Sequence, residues 1–415
     1  MSFTFDIDAR GTATLPDYVA SWDDRGVDRA ETLPARLYCA PEYFELEMEY
    51  IFRRTWQRAG RVEQLARPGD YLVTAIAGEE VLVVRGTDGV LRAFSNICRH
   101  RAGPVAVGCG NRRALQCAYH GWTYELDGRL RKAPGTEQNE AFDPSSIRLP
   151  EFAVDTWGPL VYVSLEPGLP PLAEWMSGLV ARATNYRVDE LEYVGERSWV
   201  IPCNWKTYVD NGLEGYHLPY VHPSYHKVVR LDSSYEYSTG DFWNAMYGRE
   251  PNPRGPASRA AGLIAAAAVN PVRKFRELAP PMASLEGPER DGYYYFWFFP
   301  NTLVDFMPDG IKVNTVTPLD VGHTLSTMEW WFPPTEELDR KVLQAAIVAF
   351  GHTINDEDAW ISTEVQKGLV SRLYDRGRYV AGEEMIVYHF HEVLINHLDK
   401  ELTKEAQRDL ELRAD

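Results

Sequence analysis

Basic residues are in deficit. The chain sets 43 Lys and Arg against 60 Asp and Glu, a formal charge of −17, which argues against nucleic acid or an anionic membrane as a partner. Cysteine is scarce too. The five present (Cys39, Cys98, Cys109, Cys117 and Cys203) are too few and too scattered for a secreted disulfide framework. No apolar run approaches the roughly 20 residues that span a bilayer, and the opening MSFTFDIDARG lacks the basic-then-apolar pattern of a signal peptide. A cytoplasmic protein of a reducing compartment is expected. There is no internal repeat, no flavin or nicotinamide fingerprint, and no motif of four clustered cysteines. What is present is ordinary for a globular protein: 45% hydrophobic and 25% charged residues over 415 positions, enough for two domains with a core each.

The informative stretch is CRHRAGPVAVGCGNRRALQCAYH, residues 98–120, which holds two short hooks. Cys98 and His100 form one, Cys117 and His120 the other. Two thiolates can satisfy one iron of a [2Fe–2S] cluster and two imidazoles the other, the mixed set of a Rieske centre. A structural zinc also accepts two cysteines and two histidines, but it usually pairs Cys with Cys and His with His. Here each hook is mixed. Cys109 lies between the hooks, where four ligands are already supplied, and reads as a spare thiol.

Residues 1–34 are polar and without period, and an extended arm is expected. Pro41-Glu42 opens a helix through Phe52 with acids in its first turn. From about Gly69, short alternating runs (DYLVTAI, EVLVVRG, LRAFSNI) are separated by turn residues, so the hooks should sit on a small antiparallel domain closed by LVYVSL, residues 160–165. The Pro-rich EPGLPP (166–171) punctuates its end. Beyond it, strand-like runs surround helical segments near 203–217, 335–372 and 382–400, an α+β pattern of antiparallel sheet with packed helices. The expected division is an arm and helix over 1–55, an iron–sulfur domain over 56–166 and a larger domain over 167–415. Within the last, 249–290 carries seven prolines and AAGLIAAAA; it reads either as an insertion that covers a pocket or as a solvated loop with one short helix.

The second chemical feature is NWKTYVDNGLEGYHLPYVHP, residues 204–223. His217 and His222 would point about 140° apart on an unbroken helix. Pro219 disfavours helix at Leu218, so the helix should stop near His217 and let His222 return from the loop. Two imidazoles can then share one metal, and a facial site adds a carboxylate from elsewhere. In the helix after Pro334 the apolar stripe Ile347, Phe350, Ile354 continues through Asp358 to Ile361, Val365 and Leu369. A core-facing carboxylate is costly without a metal or an ion pair, whereas Asp356, Glu357 and Glu364 fall on faces where water solvates them. Tyr293 to Phe299 is aromatic on both faces of a presumed strand and reads as sheet core. His226, His323, His352, His389, His391 and His397 lack a suitable carboxylate context and read as core or surface histidines.

HRAG after the first hook, HGWTYELDGRL after the second, and both the 204–223 segment and EDAWISTEVQKGL around Asp358 resemble the α subunits of Rieske non-haem iron oxygenases, over about residues 35–400. Ala118 departs from the proline common in that family and leaves the ligands untouched. The resemblance implies an enzyme of α+β, helix-grip type in which Cys98, His100, Cys117 and His120 hold a Rieske cluster. His217, His222 and Asp358 would hold a mononuclear Fe(II) that uses O₂. It implies further that Glu214 bridges a cluster histidine of one subunit and an iron histidine of the next, with Asp210 the competing candidate, and that Asn211 stands behind the iron ligands. Electrons would come from NAD(P)H through a separate flavin and iron–sulfur reductase, with or without a ferredoxin. The assembly implied is a homotrimer, alone, with a small β subunit, or as a dimer of trimers.

For substrate, VDNGLEGYHLPYVHP is closer to the branch that oxidises small quaternary ammonium compounds such as choline, betaines and carnitine, by hydroxylation or demethylation. An aromatic-ring mono- or dioxygenase is the alternative. A Rieske electron carrier, with the second domain only docking partners, is the alternative from another class.

Overall fold

A computed structural model describes residues 14–223, 235–249, 281–290 and 292–412. Most of the proline-rich segment, His226 and the first 13 residues of the expected arm lie outside them. The chain divides into two compact units: 48–177, and 1–47 together with 178–415.

The first unit is antiparallel throughout. Its strands are β1 Gln57–Arg61, β2 Asp70–Ile76, β3 Glu79–Arg85, β4 Leu91–Ser95, β5 Cys109–Asn111, β6 Leu115–Gln116, β7 Thr123–Tyr124, β8 Leu130–Lys132, β9 Glu151–Trp157 and β10 Leu160–Ser164. Seven of them form a sheet in the order β1-β10-β9-β4-β3-β2-β5, and β6-β7-β8 form a small second sheet. The near-continuous apolar run of β3 has a simple cause. Val81 and Val83 enter one buried cluster with Leu72 and Val161, while Leu82 and Val84 enter another with Phe94, Cys98 and Cys117. Strand side chains alternate, so both faces of this strand are covered. The β2–β3 hairpin turns on Ala77 and Gly78, both with positive φ (47° and 80°), the geometry a two-residue type I′ loop demands. LVYVS does form the last strand of the unit, fully buried between β1 and β9.

The second unit is built on a seven-stranded antiparallel sheet of β11 Glu192–Ile201, β12 Glu236–Gly240, β13 Trp243–Arg249, β14 Gly292–Phe298, β15 Thr302–Met307, β16 Gly310–Asp320 and β17 His323–Phe332. Their order is β11-β17-β16-β15-β14-β13-β12. Helices Trp205–Gly212, Leu338–Leu369 and Met385–Leu412 pack on it, giving the expected α+β class. No helix among the described residues is long and apolar enough to cross a membrane.

The arm is not wholly extended. Leu15–Val19 is helical, with Thr14 as N-cap, Pro16 in its first turn, and Leu15 and Tyr18 buried. Five residues are too short to show a helical period, and only the cap and proline signal it. Tyr18 is held by a buried acid in helix Pro41–Tyr50: Glu47 accepts from Tyr18 Oη (2.6 Å), Trp205 Nε1 (2.7 Å) and Lys206 Nζ (2.5 Å). Glu47 and Lys206 are both fully buried, so this network ties the N-terminal residues to the helix that leads into the histidine segment.

Candidate functional site

The two hooks fold alike. In the first, Cys98 N–H donates to Gly103 O (2.8 Å) and Ala102 N–H to Cys98 O (3.1 Å); in the second, Cys117 N–H donates to Trp122 O (2.9 Å) and Gly121 N–H to Cys117 O (3.1 Å). Ala102 and Gly121, each four residues past its cysteine, take left-handed φ of 57° and 70°. Space at Gly103 is tight, because a Cβ there would stand 3.1 Å from Cys117 Sγ and press on the sulfur. The thiols are buried and the imidazoles exposed. Nδ1 of His100 lies 3.1 Å from Nδ1 of His120, and the His100 ring stacks on Trp122 at 4.9 Å. Tyr124 Oη sits 3.3 Å from Cys98 Sγ and accepts from Arg99 N–H (2.9 Å); burial pushes its phenol well above the usual range, so it stays protonated beside the sulfur.

A tetrahedral zinc would draw all four donors to within about 4 Å of one another. Among the described residues, only His217, His222 and Asp358 make a group of three or more such donors within 4.8 Å. Two imidazole nitrogens that meet, with two sulfurs apart from them, suit a two-iron cluster better than one ion.

The second donor set is tight. His222 Nε2 lies 3.2 Å from His217 Nε2 and 2.8 Å from Asp358 Oδ1, with His217 Nε2 3.5 Å from the same oxygen. Burial disfavours the charged imidazole of His217, but hydrogen bonds with Asp358 and Glu214 outweigh it and raise its pKa to about 9. For Asp358, burial again works against charge and the two histidines overcome it, holding the carboxyl below its usual range. Two imidazoles and a carboxylate crowded on one point, with further positions open, form the facial set suited to non-haem Fe(II).

Each histidine is fixed from behind. Glu214 Oε1 is 2.6 Å from His217 Nδ1 and its Oε2 accepts the His217 backbone N–H at 3.0 Å; Glu357 Oε2 is 2.7 Å from His222 Nδ1. Carboxylates on both Nδ1 atoms leave both Nε2 lone pairs for an ion. The local fold differs from expectation. The helix ends at Gly212, before Glu214, and His217 caps a new turn, Leu218–Val221, with Pro219 in its first turn. Proline starts this helix rather than breaking one, since its missing N–H is no loss there.

Above the three donors lies a cavity of about 170 Å³ lined by Tyr208, Asn211, Tyr293, Tyr295, Trp330 and Phe350 among others. The long helix supplies Ile347, Phe350, Ile354 and Asp358 to that wall, so the stripe read from the sequence faces the cavity. It ends early, with Val365 47% exposed.

Residues 188–400 match the family described as ring hydroxylating alpha subunit (catalytic domain), and residues 55–153 match the Rieske [2Fe-2S] domain. The chain belongs to the Rieske ring-hydroxylating oxygenases. It is 30% identical to the carnitine monooxygenase oxygenase subunit of Acinetobacter baumannii (strain ATCC 19606), over 89% of this chain and 96% of that one. It is 28% identical to the chloroplastic choline monooxygenase of Arabidopsis thaliana, over 90% and 84%. Among solved structures, the quaternary ammonium Rieske monooxygenase CntA in complex with L-carnitine superposes with a TM-score of 0.74 at 26% identity, covering 92% of this chain and 98% of that one. The family is one of oxidoreductases that carry a Rieske cluster and mononuclear iron and use O₂, and the match of the second unit to a catalytic domain removes the electron-carrier alternative.

In this oxygenase several residues sit where the sequence did not place them. Glu357, read as solvated, is against His222. Tyr293 and Tyr295, read as sheet core, stand on the cavity wall while Tyr294 and Phe296 take the other face. Asp210 does not join His217 and His222; Tyr38 Oη donates to it (2.9 Å) and His391 Nε2 lies 3.0 Å away. His391 and His397 are buried and His323 is exposed.

Proposed function

We propose that this oxygenase oxidises a small quaternary ammonium compound at a mononuclear iron held by His217, His222 and Asp358, using electrons from a cluster held by Cys98, His100, Cys117 and His120. The observation that carries the reading is the convergence of His217, His222 and Asp358 beside a cavity walled by Tyr293, Tyr295, Trp330 and Phe350. Aromatic faces attract a cation whose methyl groups cannot donate hydrogen bonds. The relatives named for choline and carnitine support the same class.

When bound, the cluster and the ferrous ion supply one-electron transfer and oxygen activation. The chain's own residues do the rest. Glu214 and Glu357 fix the two imidazole tautomers and aim both Nε2 atoms at one point. Asp358 supplies negative charge there, and the apolar cavity keeps bulk water from the reacting carbon. Asn211, on the cavity wall, stands behind the ligands as a positioning residue. Glu214, 2.6 Å from His217 Nδ1, is also our candidate for the link to a cluster histidine of a neighbouring subunit, in a closed ring of three chains. A separate NAD(P)H-dependent reductase would feed the cluster, and a cytoplasmic setting agrees with five cysteines none of which is paired in a disulfide.

The test is oxygen uptake by the holoenzyme with a surrogate reductase, scored against product, on choline, glycine betaine, carnitine and a simple arene. Uptake coupled to oxidation of a quaternary ammonium compound is expected. Coupling with the arene alone would move the assignment to aromatic-ring hydroxylation.

A further inference from the structure

One row of side chains crosses five strands on the cavity wall. Met246 of β13 pairs in register with Tyr295 of β14, Tyr295 with Asp305 of β15, Asp305 with Lys312 of β16, and Lys312 with Trp330 of β17. All five line the cavity. Residues opposite one another on neighbouring strands project from the same face, so the row runs apolar, aromatic, acid, base, aromatic beside the metal ligands.

Two features of this row are unusual for a cavity wall. Lys312 Nζ stands 2.5 Å from Asp305 Oδ2, with side chains only 23% and 13% exposed. Removing an ion pair from water commonly costs more than the pair returns, so its position among aromatic and aliphatic groups calls for a use. Trp330, beside Lys312, is 5% exposed and its indole Nε1 has no hydrogen-bond partner. A buried N–H without an acceptor is costly as well. A cation and an unpartnered donor on adjacent strands make a place for an anion, and the acid on the other side makes a place for a cation.

We propose that this row recognises a zwitterion, with Lys312 and the Trp330 N–H receiving a carboxylate while Asp305 and Tyr295 face the quaternary ammonium. The inference rests on the quaternary ammonium reading and narrows it to carboxylated compounds, the betaines, over amino alcohols. Neighbouring strands stand roughly 4.8 Å apart, which suits two ligand charges separated by a few carbons. A zwitterion laid antiparallel to the protein pair touches an opposite charge at each end. Choline would find Asp305 already neutralised and Lys312 repelling its ammonium, so discrimination comes from repulsion as well as attraction.

Calorimetric titration of the holoenzyme without reductant tests this, using 4-trimethylaminobutyrate, its methyl ester and choline. The acid should bind at least about tenfold more tightly than the ester or choline, the scale of a charge-assisted pair in a partly dry site. Lys312→Gln should bring the three ligands to within about threefold of one another, and Trp330→Phe should weaken the acid alone. Because Lys312→Gln leaves Asp305 without its partner, the double variant Lys312→Gln/Asp305→Asn keeps the shape without the charges and should also lose the preference. Equal binding of acid, ester and choline to the unaltered enzyme, or a preference that survives both variants, overturns the zwitterion site and leaves the quaternary ammonium reading standing. Failure of all three ligands, with an arene bound instead, overturns both.

Discussion

His222 lies between two consecutive carboxylates of one helix: Nδ1 is 2.7 Å from Glu357 and Nε2 is 2.8 Å from Asp358. Adjacent helical residues diverge by about 100°, and here the imidazole fills the angle between them. Asp358 belongs to the donor group with His217 and His222, and Glu357 holds the ring from its other nitrogen.

Glu357→Ala should therefore weaken iron at the mononuclear site by about 10–100-fold, the range usual for a partner that orients a ligating histidine. Competition with a chelator, followed by iron analysis, reads this directly, and the cluster absorbance should not change. Undiminished retention of iron would show that the carboxylate is idle.

Glu214→Gln separates metal binding from electron delivery. The amide keeps the size but cannot accept through both ends. Both metals should stay and an external donor should still reduce the cluster, while single-turnover product falls by more than about tenfold, or about 1.4 kcal/mol in effective barrier. Asp210→Asn, whose side chain is engaged with Tyr38 and His391, should instead cost about 1–3 kcal/mol of stability. Turnover lost in Asp210→Asn and kept in Glu214→Gln would reverse the assignment.

Gly351 is where the long helix passes Trp330. A Cβ there would fall 2.1 Å from Cζ2 of the indole, too close for the ring to keep its place. Gly351→Ala should displace the ring and cost about 1–3 kcal/mol through overpacking, with weaker substrate binding at unchanged iron content. Substrate affinity equal to that of the unaltered chain would mean that the ring is not part of the binding wall.

The buried Glu47–Lys206 pair predicts an asymmetric double substitution. Lys206→Met strands a carboxylate at 0% exposure and should cost about 3–5 kcal/mol in urea unfolding, with much of it recovered when Glu47→Leu is added. A single variant as stable as the original chain would remove this pair from the forces that hold residues 14–47.

Legibility followed locality. Cys98 with His100 and Cys117 with His120 stand two and three residues apart on two short loops, so each pair shows in the sequence. Asp358 was found because a carboxylate interrupts an apolar stripe. Glu357 was missed because helical angle alone sends it toward solvent, and only the return of His222 from a distant turn covers it. Tyr293 and Tyr295 were missed since a strand aromatic on both faces does not say which face meets a cavity. Asp305 and Lys312 become a pair only when β15 and β16 fix their register. The turn at Pro219 was misread because the same residue stops a helix and starts one, and the outcome depended on Gly212 ending the previous helix first.

The central claim, two metal centres with separate ligand sets, is tested most directly by iron analysis together with EPR of the reduced protein for Asp358→Ala and the unaltered chain. About three irons per chain are expected for the unaltered protein, two in the cluster and one beyond it, and about two for the variant, with the Rieske signal intact. Loss of the Rieske signal in Asp358→Ala, or an iron content that the substitution leaves unchanged, would contradict the account.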